Sequence, residues 1–168
     1  TENWETENLD QKWNNQTGDW SRNATKAFVQ DVDGNGTGEI FIAHSERSGY
    51  PLSMYSRMED GSWKEQVILD SIPACHTLQV YDFDLDGDFD ILAGVNAGRA
   101  VNLGYNSYEV MVLLSKDDFS SFERKVLTTE GIYNGQAADY DGDGDVDIFR
   151  YPHHEATEYF ILDNKIID

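Results

Sequence analysis

The chain has 168 residues, 39% of them hydrophobic, which suits one folded domain with its own core and excludes a disordered segment. Twelve basic residues against 32 acidic ones leave a net charge of −20, which argues against a nucleic-acid backbone or an anionic membrane surface as partner. No apolar run reaches membrane-spanning length, so no membrane insertion is expected. Cys75 is the only cysteine, so no internal disulfide can form.

Residues 1–25 are polar, with Trp4, Trp13 and Trp20 spaced through them. They read as an irregular segment with one strand near Leu9–Trp13, and as a candidate for completing one of the units that follow. No signal peptide pattern opens the chain, and Thr1 is read as following either a processing or an expression-design boundary. Asn15-Gln16-Thr17 and Asn23-Ala24-Thr25 match the glycosylation acceptor pattern.

A first unit, 26–69, then begins. Lys26–Gln30 is a predicted strand, Asp31–Glu39 a loop, Ile40–His44 a second strand, Pro51–Met58 a third and Trp63–Leu69 a fourth, with a hairpin turn at Glu59-Asp60-Gly61-Ser62. The second unit, 76–128, repeats the order. Thr77–Tyr81 leads to the loop Asp82–Asp90, then come Ile91–Gly94, an insertion over Val95–Ser107, Tyr108–Ser115 and Phe122–Thr128. Trp63–Leu69 aligns with Phe122–Thr128, so the likeness extends beyond the loops, and Trp63 and Phe122 read as packing residues. A third unit, 133–168, has Gly135–Ala138, the loop Asp139–Asp147, Ile148–Tyr151 and Thr157–Asp163, and stops about where a fourth strand would start. Four short strands per period of roughly fifty to sixty residues indicate propeller blades. The expected fold class is therefore all-β, an array of about three four-stranded antiparallel blades.

The loops carry the chemistry. The second reads DLDGDFD after Asp82-Phe83, with acids at Asp82, Asp84, Asp86 and Asp90 and a glycine at Gly87. The third places Asp139, Asp141, Asp143 and Asp147 in the same slots, and the first places Asp31, Asp33, Asn35 and Glu39 there. A turn needs only one or two such residues, and four like charges so close repel. A hard cation removes that cost, since calcium takes six to eight oxygens and favours carboxylates and carbonyls. Positions 1, 3, 5 and 9 offer side-chain oxygens, position 7 (Thr37, Asp88, Asp145) offers a backbone carbonyl, and glycine at position 6 permits the sharp turn. An EF-hand is excluded: position 12 holds Ile42, Ala93 and Arg150 rather than glutamate, and the flanks KAFVQ, TLQVY and IFIAH read as strands. Up to three Ca²⁺ ions are expected, bringing the net charge from −20 to −14, and the affinity range of such sites suits extracellular calcium.

The motif D-x-D-x-D-G-x-x-D followed by Ile or Leu, once per four-stranded unit, resembles the FG-GAP/VCBS repeat family. The likeness runs over roughly Lys26–Leu162 and is sharpest at Asp82–Leu92. It implies a β-propeller with calcium between the first and second strand of each blade. Such repeats occur in integrin α-chains, secreted lectins and adhesins, polysaccharide lyases and sugar dehydratases, so the likeness names a fold and a metal rather than a reaction. Three blades are fewer than an ordinary propeller has, which implies either a fragment of a longer propeller or self-association to close a ring.

Strand direction sends everything before each first strand and after each second strand to the end opposite the loops. His76, Arg99, Tyr105, Tyr133, His153 and His154 are expected there, offering aromatic platforms, hydrogen-bonding groups and a cation to a sugar or protein ligand. Adjacent histidines on a strand point opposite ways, which disfavours a transition-metal site at His153-His154-Glu155. No nucleophile elbow, zincin helix or phosphate loop is present. The reading that results is a secreted, calcium-binding module that recognises a glycan or an extracellular protein without chemistry. The alternatives are a portion of a polysaccharide lyase or dehydratase, with His76 or His154 as base and Arg99 as charge neutraliser, and a structural or oligomerising repeat.

Overall fold

The computed structural model describes residues 4–9, 25–116 and 119–166. Among these residues the strands are β1 (Thr25–Gln30), β2 (Glu39–His44), β3 (Leu52–Arg57), β4 (Trp63–Leu69), β5 (Cys75–Tyr81), β6 (Asp90–Val95), β7 (Val110–Lys116), β8 (Ser121–Thr128), β9 (Gln136–Ala138), β10 (Asp147–Arg150) and β11 (Phe160–Leu162), and a short helix, α1 (Ala97–Asn102), is present. They form three antiparallel up-and-down sheets, β1-β2-β3-β4, β5-β6-β7-β8 and β9-β10-β11. The acidic stretches join first to second strands in all three. Residues 4–9 form no strand; the rest of the strand expected near Leu9–Trp13, from Asp10 on, lies outside the described residues, as do both glycosylation acceptor asparagines.

The insertion over Val95–Ser107 contains α1. Asn96 caps it, its side chain accepting the N–H of Gly98 at 3.0 Å. Ala97 and Ala100 turn inward, and Gly104, at φ +86°, carries the chain out of the last turn.

The middle sheet is covered on both faces. Toward the first sheet it presents Leu78, Val80, Ile91, Ala93, Met111 and Leu113, which pack with Phe41, Ala43, Leu52 and Met54. Toward the third it presents Leu92, Val110, Val112 and Leu114, which pack with Ile132, Ala137 and Ile148. Burial on both faces is why β6 and β7 read as continuous apolar runs rather than alternating ones. The last strand, β8, is mostly exposed and carries three consecutive charges, Glu123, Arg124 and Lys125. The first strands gather: β5 touches β1 on one side and β9 on the other, and Lys26 of β1 donates to the Asn134 side chain just ahead of β9. Cys75 is free and buried, and burial pushes its thiol up to about 12, which leaves it inert. Phe122 packs edge-on against Phe119 (5.6 Å), and Trp63 lies half-buried under the Arg57 guanidinium (5.0 Å).

Candidate metal centre and the end opposite it

The three loops share one hydrogen-bond pattern. The position 1 carboxylate accepts the N–H of the position 6 glycine: Asp31 from Gly36 (2.9 Å), Asp82 from Gly87 (3.0 Å), Asp139 from Gly144 (3.1 Å). Position 3 accepts from position 5: Asp33 from Asn35 (3.0 Å), Asp84 from Asp86 (3.4 Å), Asp141 from Asp143 (3.3 Å). Position 5 accepts from position 7: Asn35 from Thr37 (2.7 Å), Asp86 from Asp88 (3.0 Å), Asp143 from Asp145 (3.1 Å). These local bonds coil each loop around its own carboxylates. Position 6 is left-handed throughout, at φ +88°, +99° and +104° for Gly36, Gly87 and Gly144. So is position 4, where two loops use Gly34 and Gly142 and the second forces Leu85 to φ +56°.

This coiling brings carboxylates together. Ligand oxygens of Asp31, Asp33 and Glu39 lie within 4.8 Å of one another, as do those of Asp82, Asp84 and Asp86, and those of Asp139, Asp141 and Asp147. Among the described residues these are the groups placed to hold a metal ion. The donor sets are all oxygen, as a hard cation requires. Oδ1 of Asp31 and Oδ1 of Asp82 are buried with no hydrogen-bond partner, an arrangement that costs free energy unless a cation meets them. The residues therefore fit a metal. In the second loop Lys116 reaches over from β7, its Nζ 3.4 Å from Asp86 and 3.7 Å from Asp84, and gives that loop a protein cation of its own.

Position 9 does more than close a shell of oxygens. Glu39, Asp90 and Asp147 are all buried. Each accepts the N–H of position 2 in its loop, from Val32 (3.1 Å), Phe83 (2.8 Å) and Tyr140 (3.1 Å). The other oxygen of Asp90 accepts from Ser115 of β7 at 2.8 Å, and that of Asp147 accepts from Asn164, just after β11, at 2.8 Å. In the second and third loops the acid thus pins the loop to the third strand of its sheet or to the residues just after it. Asp90 stands outside the converging trio of its loop, with both oxygens engaged. Burial pushes its carboxyl up to about 6 and raises that of Glu39. The sequence pattern marks Asp90 as an acid but gives no sign of its second partner, which is a backbone N–H and has no side-chain signature.

Of the six residues expected at the far end, two, His76 and Arg99, approach a residue the sequence reading missed, and Tyr133 and His154 extend outward from His76. Glu46, buried in the turn after β2, has Oε1 3.1 Å from His76 Nε2 and Oε2 2.9 Å from Arg99 Nε. Arg99 also donates to the Glu46 carbonyl at 2.8 Å. The Tyr133 ring lies 5.1 Å from the His76 ring, and His154 lies 6.2 Å beyond Tyr133. His153 sits near the start of α1, its Nδ1 accepting the Glu155 N–H at 3.3 Å. Tyr105 is separate, in a cleft of about 220 Å³ with Leu69, Pro73 and Arg124. Burial holds His76 down to about 4, so at neutral pH it is an uncharged imidazole beside the carboxylate that Arg99 compensates; burial in turn raises Glu46. Arg99 is committed to Glu46, which leaves little of its charge for a ligand, while His76 Nε2 lies near that carboxylate without a hydrogen bond to it. Glu46 falls in Ser45-Glu46-Arg47-Ser48-Gly49, which reads as an ordinary polar turn.

Residues 31–93, from the first loop to within β6, match the model of the FG-GAP-like repeat. The third loop lies beyond the matched stretch, and its kinship with the other two rests on the shared hydrogen bonds above. Comparison with curated proteins returns no match. No helix among the described residues is long and apolar enough to cross a membrane.

Proposed function

We propose that this chain is a calcium-binding, propeller-type module of the extracellular space that recognises a glycan or a protein and performs no chemistry. The observation that carries the metal reading is the pair of buried, unpartnered oxygens on Asp31 and Asp82 at the head of two identically coiled all-oxygen loops. Asp31, Asp33, Asn35, Glu39 and the carbonyl of Thr37 would hold the first ion. Asp82, Asp84, Asp86 and the carbonyl of Asp88 would hold the second, and Asp139, Asp141, Asp143, Asp147 and the carbonyl of Asp145 the third. A bound cation would neutralise the crowded carboxylates and so couple metal to folding. The recognition reading is supported by the exposed and half-buried rings at the far end, Tyr105, Tyr133 and His154, which offer stacking faces with polar tips. Among the described residues at that end, no nucleophile, base and oxyanion donors converge.

Isothermal calorimetry with Ca²⁺, together with melting curves in calcium and in chelator, tests the metal; an unchanged melting curve in chelator rejects it. A glycan array with and without calcium, followed by turnover assays on acidic polysaccharides, tests recognition. Turnover would replace a binding role with a catalytic one.

A further inference from the structure

We propose that Asn35 is a site of spontaneous covalent modification: the main-chain nitrogen of Gly36 closes onto the Asn35 side chain, and hydrolysis leaves an aspartate or isoaspartate at position 5 of the first loop. An asparagine followed by glycine undergoes this chemistry most readily, because glycine has no Cβ to hinder the approach of its nitrogen. Sequence alone does not single Asn35 out. The chain contains two such pairs, Asn35-Gly36 and Asn134-Gly135. Their surroundings separate them.

Asn35 and Gly36 are both exposed, and nothing stands within 4 Å of where a Gly36 Cβ would be, so the turn is free to close on itself. The Gly36 N–H, whose proton must leave, donates to the Asp31 carboxylate at 2.9 Å. The Asn35 side-chain oxygen accepts the Thr37 N–H at 2.7 Å, which polarises the carbon to be attacked. The departing nitrogen, Nδ2, lies 2.8 Å from an oxygen of Asp33. In the first step a bond forms between the Gly36 nitrogen and Cγ of Asn35, and the Cγ–Nδ2 bond breaks. The Gly36 proton ends on the ammonia that leaves. In the second step water adds to one of the two carbonyls of the imide ring and one ring C–N bond breaks. Water is the only co-reactant.

Asn134-Gly135 is the opposite case. Gly135 is buried, and its N–H donates at 2.8 Å to the hydroxyl of Thr77, which is 2% exposed. A Cβ at Gly135 would fall 2.2 Å from Ile132 Cδ1 and 3.0 Å from the Phe149 carbonyl oxygen, so the backbone there has no room to move. The Asn134 side-chain oxygen is held by the Lys26 ammonium. Ring closure at this pair therefore waits on local unfolding.

Position 5 is where the three loops differ. Asp86 and Asp143 are carboxylates there, while Asn35 is an amide. The aspartate product gives the first loop the same acids at positions 1, 3 and 5 as the other two. The isoaspartate product adds a carbon to the backbone before Gly36 and draws its N–H away from Asp31. The modification itself does not rest on the metal reading proposed above.

The test incubates the whole chain in chelator at neutral pH and physiological temperature, with a parallel sample unfolded in urea. Peptide maps by mass spectrometry follow both pairs, with electron-transfer fragmentation to separate aspartate from isoaspartate. In urea the two pairs should react at similar rates. In the folded chain Asn35 should go on reacting, while Asn134 should fall behind it by about tenfold or more, as a reaction gated by local opening does. Equal rates in the folded chain, an Asn35 that stays intact when folded but reacts in urea, or a preference for Asn35 that persists unchanged in urea would each overturn the proposal.

Discussion

Asp90→Ala separates the structural role of position 9 from metal ligation by the sign of its effect. Asp90 is fully buried and accepts two backbone N–H groups, from Phe83 and Ser115, each at 2.8 Å. Alanine leaves both donors buried and unpaired, at about 1–3 kcal/mol each. Against this stands relief from burying a carboxylate, so the expected net loss is about 2 kcal/mol or more. Asp84→Ala behaves differently. It removes one charge from a crowded trio, and the lost contact with Lys116 is a long pair, its lysine exposed and its aspartate half-buried, worth under about 1 kcal/mol. The assay is urea unfolding in chelator. Without metal, Asp90→Ala should lower the midpoint clearly while Asp84→Ala leaves it unchanged or raises it. In calcium both should lower it. An Asp90→Ala variant as stable as wild type in chelator would refute the pinning role and reduce position 9 to a ligand.

Removing calcium should lower the melting temperature in one cooperative step, and Asp84→Ala should blunt that calcium dependence more than Asp88→Ala, whose expected contribution is a backbone carbonyl; equal effects in a calcium titration would count against the loop geometry. At position 4, Gly34→Ala should cost about 1 kcal/mol in a thermal melt because φ is +71°, whereas Leu85→Gly should cost nothing or stabilise slightly, since it relieves the same left-handed strain at a residue that is 40% exposed. His76 is held below its ordinary value, so the folded state binds fewer protons than the unfolded one between about pH 4 and 6.5; its contribution is present above that window and lost as pH falls through it, by about 1–3 kcal/mol. His76→Phe should flatten that part of the stability curve, while raised Glu46 contributes with the opposite sign; a variant with the wild-type slope would show that other groups set the acid response.

The acidic loops were legible because everything that forms them is local. Asp, Gly and Asn at fixed positions within nine residues decide which oxygens turn inward, and the hydrogen bonds of Asp31, Asp82 and Asp139 to the position 6 glycines never leave the loop. Strand order was legible for the same reason, since β-forming runs and turn residues alternate along the chain, and unbroken apolar runs in β6 and β7 already imply a sheet covered on both faces. What required the tertiary structure were partners chosen by packing rather than by spacing. Ser115 reaches Asp90 across 25 residues of sequence through a backbone N–H that any residue would supply. Glu46 becomes the hub for His76 and Arg99 only because a turn of the first sheet, a strand of the second and α1 meet at one point. Phe149 and Leu92 occupy the same slot of the repeat and look alike in sequence; one is exposed and the other buried because burial belongs to the neighbour, and only the assembled sheets say where a neighbour stands.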